Sequence, residues 1–295
     1  MSSVKRIICL ANSKKEGERC IAGIDLDTGK WIRPVCDDQY PQDGRVPENV
    51  RLVDGREPEL LDVLEISLAN TGSDFGFECE NLSIYPTKWK CLGKARPSHL
   101  IKYCGNYHQI LHNSGKYVNP SYLKNLPFEE RRTLQLVRAN ELDVEQKMTS
   151  KGGIEWKGTI QSVNGQRLTG VKITDLVFIR KLNEGYQIAG QYLVTVSLGM
   201  PWAYDGWEGE IPCWKLISGV IELPSSPLLA TQDLISQTDV EMARIDWTKG
   251  QGRDYLIRNF DKKSRLQLTI EELQKFLAHL KSLPNRQSNF NDDFF

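Results

Sequence analysis

The stretch that most constrains the fold is residues 7–35. Ile7 to Ala11, Arg19 to Leu26 and Trp31 to Val35 are runs of apolar and β-branched residues, and Asp27-Thr28-Gly29-Lys30 supplies hairpin turn residues between the second and third. A chain that opens on strands in succession is set towards a mainly β fold. On the third strand side chains alternate, so Trp31 and Arg33 share one face while Ile32 and Pro34 take the other. The connection Asn12-Ser13-Lys14-Lys15, with Arg19 just beyond it, adds amides, a hydroxyl and cations near the end of the first strand. An aromatic plane beside a planar cation suits a polyanion that carries stacking groups, such as a nucleic acid or nucleotide. The same residues would equally serve an ordinary hairpin whose Trp covers a small core and whose cations are solvated.

The strand pattern continues in two blocks. After a charged, Pro- and Gly-rich loop, Cys36 to Glu59, strands resume at Leu60–Leu68 and around Glu80–Tyr85, about the number that a small barrel needs. A second block is predicted from strands at Thr133–Val137, Ile154–Ile160, Val171–Ile179 and Tyr192–Ser197, with Asn164-Gly165 and Asn183-Glu184-Gly185 as turns. Between Pro201 and Trp214 lies an aromatic loop with Trp202, Tyr204 and Trp207. Its Asp205, Glu208 and Glu210 would repel phosphates, so packing or a protein contact is expected there before base stacking. Beyond Pro224-Ser225-Ser226-Pro227 the composition turns helical. Gly252 to Phe260 and Thr269 to Leu283 predict a helical hairpin, the second helix with Thr269 and Glu272 at capping-box spacing and Leu273, Phe276, Leu277 and Leu280 on one face.

Charge narrows where a polyanion could bind. The chain carries 38 basic and 38 acidic residues, so an anion site must be a local groove rather than the whole surface. The densest basic and aromatic segment is residues 87–107, with Lys88, Trp89, Lys90, Lys94 and Arg96 at its start. A phosphate backbone would be attracted there, although an edge strand followed by a surface helix would show the same composition. No stretch approaches membrane-spanning length and no signal-peptide pattern is present, which predicts a cytoplasmic protein. The seven scattered cysteines read as reduced thiols.

Catalytic signatures do not emerge. Nucleotide-binding glycine loops, the nucleophile elbow, HExxH and paired CxxC motifs are all missing, so no catalytic residue and no cofactor is expected. The one arrangement with ligand-like spacing is Cys104, His108 and His112, with Cys91 upstream. Gly105, Asn106, Asn113 and Gly115 argue against the continuous helix it would need, and no metal is expected.

Several of these segments together resemble a known family. Asn12 to Lys15, Gly17 to Gly23, Trp31-Ile32-Arg33-Pro34-Val35, Glu80-Asn81, Ser197-Leu198-Gly199 and Trp214-Lys215-Leu216-Ile217 look like the prokaryotic dual OB-containing domain family, over roughly the first 225 residues. The resemblance implies two tandem OB-like β-barrels and nucleic-acid binding, in a family associated with prokaryotic defence and mobile elements. The expected organisation is mainly β (α+β): a first OB-like domain with a helical insertion at 1–125, a second at 126–224, the helical hairpin at 225–284 and an acidic-aromatic tail at 285–295. That tail ends in Asp292, Asp293, Phe294 and Phe295, and resembles the partner-recruiting tip of single-stranded DNA-binding proteins, though with fewer acids. The expectation is a non-enzymatic protein that binds single-stranded DNA or RNA and recruits a protein partner through its tail. Its rivals are a nucleotide- or modified-nucleic-acid-sensing adaptor of a defence complex and an unrecognised nuclease.

Overall fold

The computed structural model describes residues 2–149, 152–223 and 227–284. The first part comprises β1 (Ser2–Lys15), β2 (Glu18–Asp25), β3 (Trp31–Val35), the short α1 (Glu48–Arg51), β4 (Asp62–Ala69), β5 (Asn81–Ser83) and β6 (Lys90–Lys94). A 3₁₀ helix, Pro97–Tyr103, leads to β7 (Tyr117–Val118) and α2 (Pro120–Lys124). Then come β8 (Leu134–Met148), β9 (Ile154–Ser162), β10 (Arg167–Ile173), α3 (Leu176–Asn183), β11 (Gln191–Leu198) and β12 (Cys213–Leu223). The remaining helices are α4 (Pro227–Arg244), α5 (Lys249–Phe260) and α6 (Ile270–Ser282).

Two sheets repeat one topology. In the second, β8, β9, β10, β12 and β11 pair in a ring: β10 runs parallel to β12 through Lys172–Leu216 and Ile173–Ile217, and β11 returns antiparallel to β8. This is a closed five-stranded barrel with a helix between its third and fourth strands, the arrangement of an OB fold. The first sheet runs β5-β3-β2-β1-β4-β6, again with its third and fifth strands parallel, at Arg33–Asn81 to Val35–Ser83. It curls as a half-barrel, and one isolated bridge, Leu68 to Ile84, joins its fourth and fifth segments. Each sheet wraps its own apolar core. Ile7, Ile21, Leu64, Ile66 and Trp89 fill the first, while Leu142, Ile160, Tyr192, Val194 and Ile217 belong to the second.

Three local expectations are corrected. Asn12 to Lys15 do not form a connection: β1 runs through Lys15, pairing with β2 as far as Lys15–Glu18. The strand expected at Val171–Ile179 stops at Ile173, because the Asp175 carboxylate accepts from the amides of Val177 and Phe178 at 3.0 Å each and starts α3. Phe178 and Leu182, one helical turn apart, are the residues that α3 buries. Third, the C-terminal helices number three among the described residues, not two. α4 escapes a reading by periodicity because its mixed polar and apolar residues give a weak signal.

The chain divides into two compact units, 1–224 and 225–295. In the second, α5 and α6 both begin with capping boxes, at Thr248/Gln251 and Thr269/Glu272. Leu273, Phe276 and Leu280 pack with Met242 and Ile245 of the α4 region and Leu256 of α5, which gives this unit a core of its own. No helix among the described residues is long and apolar enough to cross a membrane. The acidic-aromatic tail lies outside the described residues.

Candidate nucleic-acid interface

Arg33 does not stand on a surface. β3 carries its guanidinium into the boundary between the barrels, where it is 3 % exposed, ion-paired with the equally buried Glu78, and donates to Thr133 Oγ1 at 2.9 Å. Glu80 meets the same threonine from the other side. Its carboxylate accepts from Thr133 N at 2.6 Å, Thr133 Oγ1 at 2.9 Å and Leu134 N at 3.2 Å. Asn81 completes the group, donating to Glu78 and to Ser73 O. Burial alone would pull the Arg33 pKa down, but the Glu78 and Glu80 carboxylates outweigh it and hold the guanidinium more firmly charged than usual. For Glu80 burial prevails, so its pKa is raised despite Arg33 and Thr133. The network therefore fastens β3 and β5 of the first barrel to the start of β8 of the second.

Other sequence-predicted residues also lie at this boundary. Ser13 is buried and its backbone bridges to Asp175, while Thr195 Oγ1 donates to Leu10 O at 2.7 Å. Gly219 comes so close that a Cβ there would sit 2.2 Å from Leu10 O. Trp31 is half-buried against Ala11, Ala22 and Leu134. Asn12 donates to Pro58 O at 2.7 Å and Lys15 to Asp43 O at 2.6 Å, and Arg19 lies 3.6 Å from Glu57. Of that opening set, Lys14 alone is exposed and free of an ion pair among the described residues. Alternation does put Trp31 and Arg33 on one face, but that face turns towards the second barrel.

The basic segment is on the surface. Among its candidate residues Trp89 is the exception, 2 % exposed and part of the first core, so it offers no stacking face. Lys88 and Arg96 are exposed without an ion pair among the described residues. On β6, Lys90 and Lys94 are also exposed, yet Lys90 reaches Glu65 at 2.9 Å and Lys94 pairs with Glu59. β6 is an outer strand of its sheet, bonded only to β4 within it. Exposed pairs of this kind exchange partners cheaply, so both lysines remain open to a competing phosphate.

A second buried cation carries no sequence signal of its burial. Lys215 on β12 is 1 % exposed, and its ammonium donates to Ile110 O and Asn113 O at 2.6 Å and to Asn113 Oδ1 at 3.0 Å. Among the described residues no carboxylate balances it, and burial pulls its pKa down to about 7. It holds the segment where Leu111 and His112 adopt left-handed backbone, with Leu111 N bonded to Gln135. The candidate ligands Cys91, Cys104, His108 and His112 are not brought together. Cys91 sits on β6, Cys104 ends the 3₁₀ helix, and the His112 ring bonds to Arg132 O. Among the described residues no three His, Cys, Asp or Glu side chains gather as a metal cage would need.

Glu78 and Thr133, central to the boundary, have no marker in the sequence. Glu78 has the wrong sign for an anion site, and Thr133 reads as an ordinary strand residue.

Repeated strand order and a shared buried boundary define a tandem OB protein. The chain belongs to the dual OB-containing domain family, whose profile matches residues 5–220. The uncharacterized protein slr1353 of Synechocystis sp. (strain ATCC 27184 / PCC 6803 / Kazusa) is 39 % identical over 69 residues, which is 23 % of either chain. A solved structure titled "Molecular basis for abrogation of activation of pro-inflammatory cytokines" covers 75 % of this chain and 90 % of its own. With a TM-score of 0.26 and 12 % identity, that likeness carries no argument.

Proposed function

We propose that this protein binds single-stranded nucleic acid along β6 and the residues flanking it. The observation that carries the reading is the exposed row Lys88, Lys90, Lys94 and Arg96, set in a segment (87–107) without a single carboxylate and attached to an OB fold. OB folds bind oligonucleotides with a strand face and its neighbouring loops. Here the β3 face is taken up by the second barrel, which leaves the outer strand and Lys14 as the accessible cations among the candidate residues. Salt-titrated binding with single-stranded DNA, duplex DNA and RNA tests this. Affinity for single strands should exceed that for duplex, and its logarithm should fall linearly with log salt at about 0.7 per phosphate neutralised. Salt-insensitive binding of a small nucleotide would favour the sensing-adaptor reading instead.

The context proposed is prokaryotic defence or mobile-element biology, with the tail as a recruiting hook. Deleting residues 291–295 should leave the unfolding midpoint unchanged, abolish co-purification of a partner, and leave strand binding equal or tighter at low salt, where an acidic tail competes best with phosphates. Weaker strand binding would mean that Phe294 and Phe295 touch nucleic acid directly.

A further inference from the structure

The segment between β11 and β12 is a built aromatic surface. Trp207 and Trp214 stand edge to face with each other and with Tyr117 of β7, all three centroid separations being 5.4 Å, and Tyr204 adds an edge contact to Trp207 at 5.3 Å. Both indole N–H groups turn back into the loop: Trp207 Nε1 donates to Glu210 O at 3.0 Å and Trp214 Nε1 to Trp202 O at 2.7 Å. The Glu210 carboxylate accepts from Ser121 N at 2.8 Å and from its hydroxyl, which pins the loop to α2. Gly206 and Gly209, at φ +86° and +95°, take the left-handed turns that this path requires. Trp207 and Trp214 are thus fixed in place, Tyr204 leans on Trp207 and the Trp202 backbone is tied to Trp214 and Pro212, yet Trp202 and Tyr204 remain 62 % and 54 % exposed.

Large aromatic rings left in water are costly unless something covers them. With the indole donors of Trp207 and Trp214 spent inward, those rings offer π faces and no hydrogen bond. Beside them Asp205 and Glu208 are exposed and free of ion pairs among the described residues. Aromatic faces next to unpaired carboxylates attract cations and repel phosphates. We infer that this loop docks an arginine-bearing segment of a partner protein, its guanidinium groups lying on Trp202 and Tyr204 and pairing with Asp205 and Glu208. Arginine is favoured over lysine because its planar, weakly hydrated guanidinium can stack and pair at once. The loop would then act independently of the basic row on β6, each taking a ligand of opposite charge.

The test uses the full-length protein and a fluorescein-labelled decapeptide of alternating Arg and Gly, with Lys-Gly and Glu-Gly peptides and oligo-dT as comparators. Saturable binding of the Arg peptide is expected, severalfold weaker binding of the Lys peptide, and none of the Glu peptide. Trp202→Ala with Tyr204→Ala should weaken Arg-peptide binding at least about tenfold, and Asp205→Asn with Glu208→Gln by several fold, both with unchanged unfolding midpoints. The inference is overturned if the Arg peptide fails to saturate or if the carboxamide variant binds it equally well. It is also overturned if the aromatic variant loses affinity for oligo-dT instead.

Discussion

The boundary between the barrels and the outer strand β6 both set cations against carboxylates, to opposite effect. At the boundary Arg33, Glu78 and Glu80 are out of water, held in one network that spans the two barrels through Thr133 and Leu134. On β6 Lys90 and Lys94 meet Glu65 and Glu59 in solvent, where either partner can swing away. Buried charges must keep their partners because an unpaired ion in the interior is expensive; exposed ones need not. A cation that is indispensable to the fold is therefore poorly placed to bind a ligand, and a cation available to a ligand contributes little to the fold.

The comparison breaks most visibly at Arg33. Arg33→Ala leaves Glu78 and Glu80 buried with their cation gone, and should destabilise the 1–224 unit by about 3–5 kcal/mol in urea or guanidinium unfolding. Arg33→Met with Glu78→Leu should recover part of that loss, since a buried pair can be replaced by apolar groups of similar volume. If Arg33→Ala instead unfolds like the wild type and only weakens oligonucleotide binding, the boundary is a binding site and the contrast drawn above is wrong.

Lys215 sharpens the contrast at the next level of effect, being a buried cation with amide acceptors but no counter-ion among the described residues. Its pKa is about 7 in the fold against 10.5 when solvated, so between those values the unfolded chain holds a proton that the folded chain does not. Stability should then rise with pH from 7 to 10.5, by up to about 1.4 kcal/mol per unit, with the full cost already present below pH 7. Burial is also the first cause of the lowered His112 pKa, with the charges of Arg132 and Lys215 adding to it and the hydrogen bond to Arg132 O opposing it. Unfolding midpoints of wild type and Lys215→Met, compared from pH 7 to 10, isolate the contribution. A wild-type slope no steeper than the variant's would show that the carbonyl acceptors keep the ammonium charged.

Legibility in the sequence follows the same division. Strand runs, the Thr269/Glu272 capping box and the apolar face of α6 are readable because they depend on neighbours two to four residues away. The family segments are readable too, but their chemistry misleads: Arg33, Glu80, Asn81 and Lys215 bear polar groups that suggest a ligand site, and the fold buries all four. Nothing local tells a strand residue that its outer face will meet a second barrel. Trp89 misleads for the converse reason, since lysines on either side give no hint that alternation turns the indole alone into the core. Asp175 is legible in principle, as a capping residue ahead of a Phe178/Leu182 pair, but the β-branched residues before it carry a strand reading too far.

The smallest effect on the fold, and the most informative for function, belongs to the β6 row. Replacing Lys88, Lys90, Lys94 and Arg96 with Gln removes four exposed cations; Lys90 touches Glu65, while Lys94 touches Glu59 and stands 3.9 Å from the buried Asp62, which keeps Arg56 at 2.7 Å. The unfolding midpoint should not move measurably. Strand binding should weaken most at low salt, and the slope of log affinity against log salt should flatten by about 0.7 for each phosphate that is no longer neutralised, close to 3 if all four engage single strands. A flattening of about 1.4 would assign phosphate binding mainly to the unpaired Lys88 and Arg96, because Lys90 and Lys94 would then be held by Glu65 and Glu59 even in the complex. Adding Glu65→Gln and Glu59→Gln to the wild type separates those cases: freeing the two lysines should strengthen binding and steepen its slope. An unchanged slope in the Gln variant would exclude the row altogether and move the groove to another face.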